Sequence, residues 1–224
     1  MRKLIMLEIK KFQLQKYWKN VMIANMVAFV LLISMNFTEE KFADYQTAFA
    51  AVSVLVRAIF TIFTAVIISK LIIDEYRSGS IALMFMYPIQ RKKIILSKLI
   101  IVAGFAFSSI FLSTIFVDGF YYLANSLLHL VPGQLTAEVI ATSARDALVI
   151  AAVSAGISLI PLYFGMRKKS VPATIVTAVI LVSLTSSTMG EQTAFSFMAI
   201  PTVLAIVGFA AAWLSFRNIE KADI

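Results

Sequence analysis

Two ionisable residues stand inside long apolar runs, Arg57 in AVSVLVRAIFTIF and Asp118 in STIFVDGFYYL. An ion at membrane depth is expensive, and it marks either a water-lined substrate path or a pairing between helices. A guanidinium keeps its proton, so Arg57 needs a carboxylate, a carbonyl, water or an anionic substrate beside it. Asp118 is the acid set well inside a predicted span, Asp146 lying at the edge of its own, and is the natural partner. At 1.5 Å per helical residue, Arg57 lies about 20 Å beyond Lys70 and Asp118 about 30 Å beyond Lys98, a gap that snorkelling or a bend at Gly119 could close. Other chemistry is scarce. There is a single His129 and no Cys, so no metal site is expected and thiolate or imidazole catalysis has no material. Glu39 and Glu40 fall in a loop, not at the depth an intramembrane protease needs. No G-x-x-x-x-G-K-[ST] occurs, and GMRKKS after Gly165 lacks the second Gly of a phosphate cradle. The chain reads as non-enzymatic.

A second group of polar residues lies in DEYRSGSIALMFMYPIQRKKIILSK, from Asp74 to Lys98. Asp74 and Glu75 follow an apolar span, Gly79 gives the backbone freedom between two capping serines, and Ile81 to Tyr87 is apolar on every side at helical spacing. Such a helix must be covered all round, by the lipid interface or by another protein. Pro88 stops it, and Arg91, Lys92 and Lys93 return the chain to the membrane surface.

The elements that position these residues follow from the solvent. With 60% hydrophobic and 14% charged residues and a mean hydropathy of +0.90, the chain is an integral membrane protein. Crossing about 30 Å of hydrocarbon takes roughly 20 apolar residues in a helix. Six spans are expected: Val21–Phe37, Gln46–Ile73, Ser97–Ala124, Ala144–Met166, Ser170–Gly190 and Ala194–Phe216. The first lacks a small-x-small cleavage site and reads as a retained anchor. Residues 1–20 form an arm. Its apolar stripes (Ile5, Ile9, Phe12 and Leu4, Leu7, Leu14, Trp18) are divided by Glu8, Lys11 and Gln15, as in a helix lying on a bilayer interface. Pro132-Gly133 marks a turn between two short pieces of the loop 125–143.

Charge orients the spans. Seventeen Lys and Arg residues fall in the arm, the Asp74 loop, the loop at Arg167–Lys169 and the tail, against Lys41 and Arg145 on the other side. The positive-inside rule then puts both termini and the Asp74 loop in the cytoplasm. The pI of about 9.7 is explained by topology and anionic lipid, without nucleic acid. The expected fold is therefore all-α and polytopic, one transmembrane domain of six helices.

The order Glu75, Arg77, Ser78-Gly79-Ser80, apolar block, Pro88, Arg91-Lys92 and Lys98 resembles the loop of the ABC type-2 permeases, membrane subunits of bacterial ATP-driven exporters. The six spans, the arm and the tail FRNIEKADI are similar to that family too, over essentially the whole chain. The resemblance implies a coupling helix between spans two and three that sits in a groove of an ATPase subunit, with Glu75, Arg77, Gly79, Ser80, Leu83, Phe85, Pro88 and Arg91 as its contact residues. It implies ATP and Mg bound in that partner and none by this chain, two ATPase copies, and a second or homologous permease. The small size most resembles Gram-positive permeases that expel membrane-active peptides or give immunity to them. One departure stands out: only SLTSSTMGEQTAFSF is available for the re-entrant helices family members often carry before the last span. An ion-coupled secondary transporter or channel is the other class to weigh. It would want paired ionisable residues at mid-depth and inverted repeats, and only Arg57 qualifies.

Overall fold

The computed structural model describes residues 2–12, 17–36, 42, 44–79, 91–128, 131–132, 135–186, 188–189, 192–193 and 199–217. The chain is an all-α, polytopic membrane protein. Among the described residues the helices are α1 (Arg2–Phe12), α2 (Tyr17–Asn36), α3 (Tyr45–Ile68), a π-helical segment (Ser69–Ile73) running into α4 (Asp74–Arg77), α5 (Arg91–Leu128), α6 (Ala137–Ile157), α7 (Ile160–Lys168), α8 (Val171–Ser186) and α9 (Ala199–Arg217). A short antiparallel pair, Thr188–Met189 with Gln192–Thr193, lies between α8 and α9. Each expected span contains an apolar helix, but the helix of the fifth ends at Ser186, short of the expected Gly190, where Thr188–Met189 is extended, and the described helix of the sixth begins at Ala199. Four stretches are long and apolar enough to cross a bilayer: Tyr17–Met35, Tyr45–Arg77, Lys92–Leu128 and Ala137–Lys168; Val171–Ser186 and Ala199–Ser215 are shorter.

Helix ends follow local chemistry more than hydropathy. Asp44 caps α3: the Thr47 N–H donates to Asp44 Oδ1 at 2.8 Å, and the Asp44 N–H donates back to Thr47 Oγ1 at 3.3 Å, a reciprocal box that satisfies otherwise orphaned donors. These groups hold the Asp44 carboxyl below its ordinary range. Gly79, at φ +71°, ends the helical run of the second span as a left-handed residue. The expected fourth span is not one straight helix. Pro161, at the start of α7, cannot donate to the preceding turn, and the chain tightens at Ser158–Leu159, where the Leu159 N–H bonds Gly156 O at 3.1 Å.

Contacts divide the chain into two compact units. The first comprises Met1–Leu14, Thr61–Ala106 and Val153–Ile224. Here the π segment packs on α7 and α8, and α9 packs on α7. Ile157, Ile160, Leu181 and Ala205 form its buried apolar centre. The helices approach closely at small residues: a Cβ on Gly208 would lie 2.0 Å from Gly156 O, and one on Gly165 would meet Thr174 Oγ1 and Ile73 Cδ1. Glycine at such crossings lets backbones touch, the usual means of helix association in lipid.

The second unit comprises Gln15–Phe60 and Phe107–Ala152. Its core joins Tyr45, Ala48, Phe49, Tyr121 and Val131, with Phe42, Leu135 and Val139 against it. Asn125 pins the turn after α5. Its side chain accepts from the Val131 N–H at 2.7 Å and donates to Val131 O at 3.3 Å and to Tyr45 Oη at 2.6 Å. The 125–143 loop is thus largely helical, because α5 and α6 run into it from both sides. Along α2 the side chains Met22, Ile23, Met26, Val27, Val30 and Leu31 are exposed, the apolar exterior of a helix that faces lipid.

Candidate functional site: a buried charge cluster at the roots of residues 80–90

Within the first unit, three elements bring two acids and two lysines together. Lys98 of α5 has a fully buried side chain. Its Nζ donates to Glu8 Oε2 at 3.0 Å and to Leu71 O at 3.1 Å, and lies 3.0 Å from Glu75 Oε2. The last contact is an ion pair without an aligned hydrogen bond. Lys11 Nζ donates to the other oxygen of Glu75, Oε1, at 2.8 Å. The Phe12 ring closes the group, with its centroid 4.9 Å from Lys98 Nζ and 5.3 Å from Lys11 Nζ, inside cation–π range.

Each position has a local cause. Lys98 lies seven residues into α5 and Leu71 six before the end of α4, about 10 and 9 Å along their helices. The two therefore meet at one level of a helix pair whose connection is 78–90. Leu71 belongs to the π segment, where the Asp74 N–H reaches back five residues to Ser69 O. Such insertions re-aim the residues around them and are common at functional sites. On α1, residues 8, 11 and 12 share the inward side while Met6 and Leu7 are 62% and 63% exposed. Glu8 is the buried polar residue of the arm, Phe12 is half-buried beside it, and Lys10 and Lys11 are exposed.

An ammonium has three protons to place, and three acceptors surround Lys98. Two carboxylates against two ammonium groups leave the cluster neutral. Its members differ in weight: Lys11, with a side chain 51% exposed, makes a solvent-screened contact of small value, whereas removing Lys98 would take the ammonium from buried Glu8 and leave Glu75 with Lys11 alone, at about 3–5 kcal/mol.

The expected contact residues distribute as follows. Glu75 is in the cluster; Arg77 is exposed on α4 and Gly79 exposed after it; Arg91 opens α5. Ser80, Leu83, Phe85 and Pro88, with the whole apolar block, lie outside the described residues. Arg57 and Asp118 are both buried in the second unit. The hydrogen bond to Asp118 comes from Ser143, whose Oγ donates to Oδ2 at 2.7 Å, while Oδ1 has no hydrogen-bond partner. Ser143 is thus a hydrogen-bonding neighbour of that acid. Glu8 and Lys11 enter the sequence reading only as dividers of the arm's apolar stripes and Lys98 only as the end of the loop pattern; none of the three is expected there as a site residue. The available signals were Glu8 and Lys11 three apart in an apolar arm, and a lysine with apolar flanks in IILSKLII.

Comparison with known proteins bears on this arrangement. Residues 4–184 match the family described as ABC-2 family transporter protein. The chain is also 40% identical over 225 residues to a Bacillus subtilis (strain 168) protein named "Uncharacterized protein YcbO", an alignment covering 98% of this chain and 99% of that one. No solved structure matches.

Proposed function

Because the chain belongs to the ABC-2 transporter family, we propose that it is the membrane permease subunit of an ATP-binding-cassette exporter, driven by ATP hydrolysed in a separate partner chain. The observation that carries this reading is the Lys98–Glu75–Leu71 junction, which ties together both roots of the 80–90 segment. That segment is short, apolar and flanked by charge, and a force applied to it would pass into the second and third spans at one buried point. On this reading Ile81–Tyr87 is the coupling helix, with Leu83 and Phe85 as its apolar contacts. Glu75, Arg77, Gly79, Ser80, Pro88 and Arg91 shape its ends and approach.

The working complex holds two ATPase copies, which bind ATP and Mg, and two permease chains, either identical or homologous, set in the lipids of the cell membrane. Both termini and the coupling segment face the cytoplasm. The cargo is a hydrophobic or amphipathic compound, a membrane-active peptide in the first instance, with lipids and drugs as the other classes. Arg57, buried within α3, lines its path.

Reconstitution tests the reading. The purified permease in lipid nanodiscs should hydrolyse no ATP. Combined with a phosphate-loop ATPase partner, it should form a complex whose mass corresponds to two permeases and two ATPases, with hydrolysis above that of the ATPase alone. A stable, transport-active complex with one permease chain, or hydrolysis by the permease itself, would overturn it.

A further inference from the structure

We infer that Lys98 is a positioning residue for coupling: with Glu8 and Glu75 it sets the angle and register at which the 78–90 segment leaves the spanning helices, and it makes α1 a working part of the coupling device. This inference rests on the function proposed above. Three observations converge on it. Lys98 reaches both neighbours of the segment's incoming root, the Leu71 carbonyl at 3.1 Å and the Glu75 carboxylate at 3.0 Å, while itself standing on the outgoing root. Glu8 joins the same ammonium at 3.0 Å from α1, 90 residues away in sequence. The root contact includes a backbone carbonyl of the π segment, whose other side packs on α7 and α8, so a shift at Lys98 is delivered to backbone as well as to side chains.

Stability alone does not account for such a cluster. Desolvating opposed charges opposes most of their attraction, and apolar side chains of the same volume commonly pack as well or better. What charge adds is direction. An apolar joint tolerates sliding, whereas two hydrogen bonds, to Glu8 and to the Leu71 carbonyl, and an ion pair with Glu75 around one ammonium favour a single arrangement, the role best attested for buried polar groups. Lys11, half exposed, holds the second Glu75 oxygen.

The test separates positioning from support. The chain has no cysteine, so spin labels at Ser78→Cys and Lys92→Cys, both exposed, read the distance between the two roots in nanodiscs. The informative variant is the neutral set Glu8→Gln/Glu75→Gln/Lys98→Met, which nearly keeps volume and leaves only the half-exposed Lys11 charged. Its melting temperature should stay close to that of the parent. Its distance distribution should broaden, and ATP hydrolysis stimulated in the permease–ATPase complex should fall by roughly tenfold, within the usual range of coupling between sites. Glu8→Gln alone, which leaves both roots joined, should keep the distance narrow yet lower stimulation, and it serves if the triple variant does not insert. A neutral set with the parent's distance distribution and the parent's stimulation would overturn the inference, as would a Glu8→Gln variant with unchanged stimulation. Phe85→Asp separates this from failure of the underlying reading: if it leaves coupling intact, the docking assignment fails. If it uncouples while the cluster variants stay silent, only the positioning role fails.

Discussion

Substituting Gly208 by Ala should destabilise the protein by about 2 kcal/mol, and the structure gives the reason. The added Cβ would lie 2.0 Å from Gly156 O and 2.8 Å from Gly156 C. Ordinary contact begins near 3.4 Å, so α9 and α6 must part by about 1.4 Å, and the obstructing atoms are backbone that no rotamer change can move. Overpacking of this kind costs about 1–3 kcal/mol, and the absence of a yielding side chain argues for the upper figure. Helix propensity works the other way, Ala being favoured over Gly by about 1 kcal/mol. The net of about 2 kcal/mol corresponds to a lowering of the melting temperature by about 4–8 °C for a chain of this size.

The other glycines supply the scale. Gly156→Ala, whose Cβ would meet Ala205 at 2.9 Å, should have a smaller effect. Gly104→Ala and Gly119→Ala, with nothing within 4 Å, should be neutral or stabilising by up to about 1 kcal/mol. Tryptophan fluorescence during heating suits the measurement, since Trp213 lies on α9 itself. A Gly208→Ala protein that melts at or above the parent, or four substitutions with equal effects, would refute the packing argument.

Four further outcomes are expected. Asp44→Ala removes the cap of α3 and should cost about 1 kcal/mol; because the folded carboxyl titrates below its unfolded value, this contribution is full above the unfolded pKa and is lost as pH falls through the folded one, so the two proteins should melt alike in strong acid and apart at neutral pH. Leu83→Asp/Phe85→Asp should leave the permease inserted while its ATPase fails to co-purify, and full recovery of the partner with normal transport would count against the coupling helix. Arg57→Gln should abolish export with insertion and ATPase docking intact, and Arg57→Lys should restore part of it; normal export and normal melting would leave Arg57 without a role in the path. Ser143→Ala and Asp118→Asn should lower stability without adding to one another, as expected of a bonded pair, and additive losses would show that the 2.7 Å contact is not a working one.

What the sequence discloses depends on the range of the interactions involved. The spans are legible because apolar runs answer to the bilayer one residue at a time. Hydropathy marks the hydrocarbon window rather than the helix, so Ser97–Ala124 reads as a span while the helix runs from Arg91 to Leu128, its first turns carried by exposed Lys92 and Lys93. The break at Ser158 had a visible cause in Pro161. The π segment had none, for SKLII contains neither Pro nor Gly, and only packing on α7 and α8 reveals it. Glu75 was found through its place in a loop pattern. Its partners were not, because Glu8 and Lys98 are 90 residues apart and a lysine at a span's edge already has an ordinary explanation in topology. The Arg57–Asp118 pairing came from scarcity of acids at depth, which does not disclose the Ser143 hydroxyl that bonds Asp118.

Cross-linking from the coupling segment addresses the central claim most directly. In the cysteine-free chain, a single Phe85→Cys carrying a photoreactive label should form an adduct with the ATPase subunit in the assembled complex, and a label at Leu7→Cys, on the exposed side of α1, should react with lipid instead. An intact, ATP-hydrolysing complex in which position 85 yields no adduct with the ATPase would contradict the assignment of residues 80–90 as the point where the permease receives its energy.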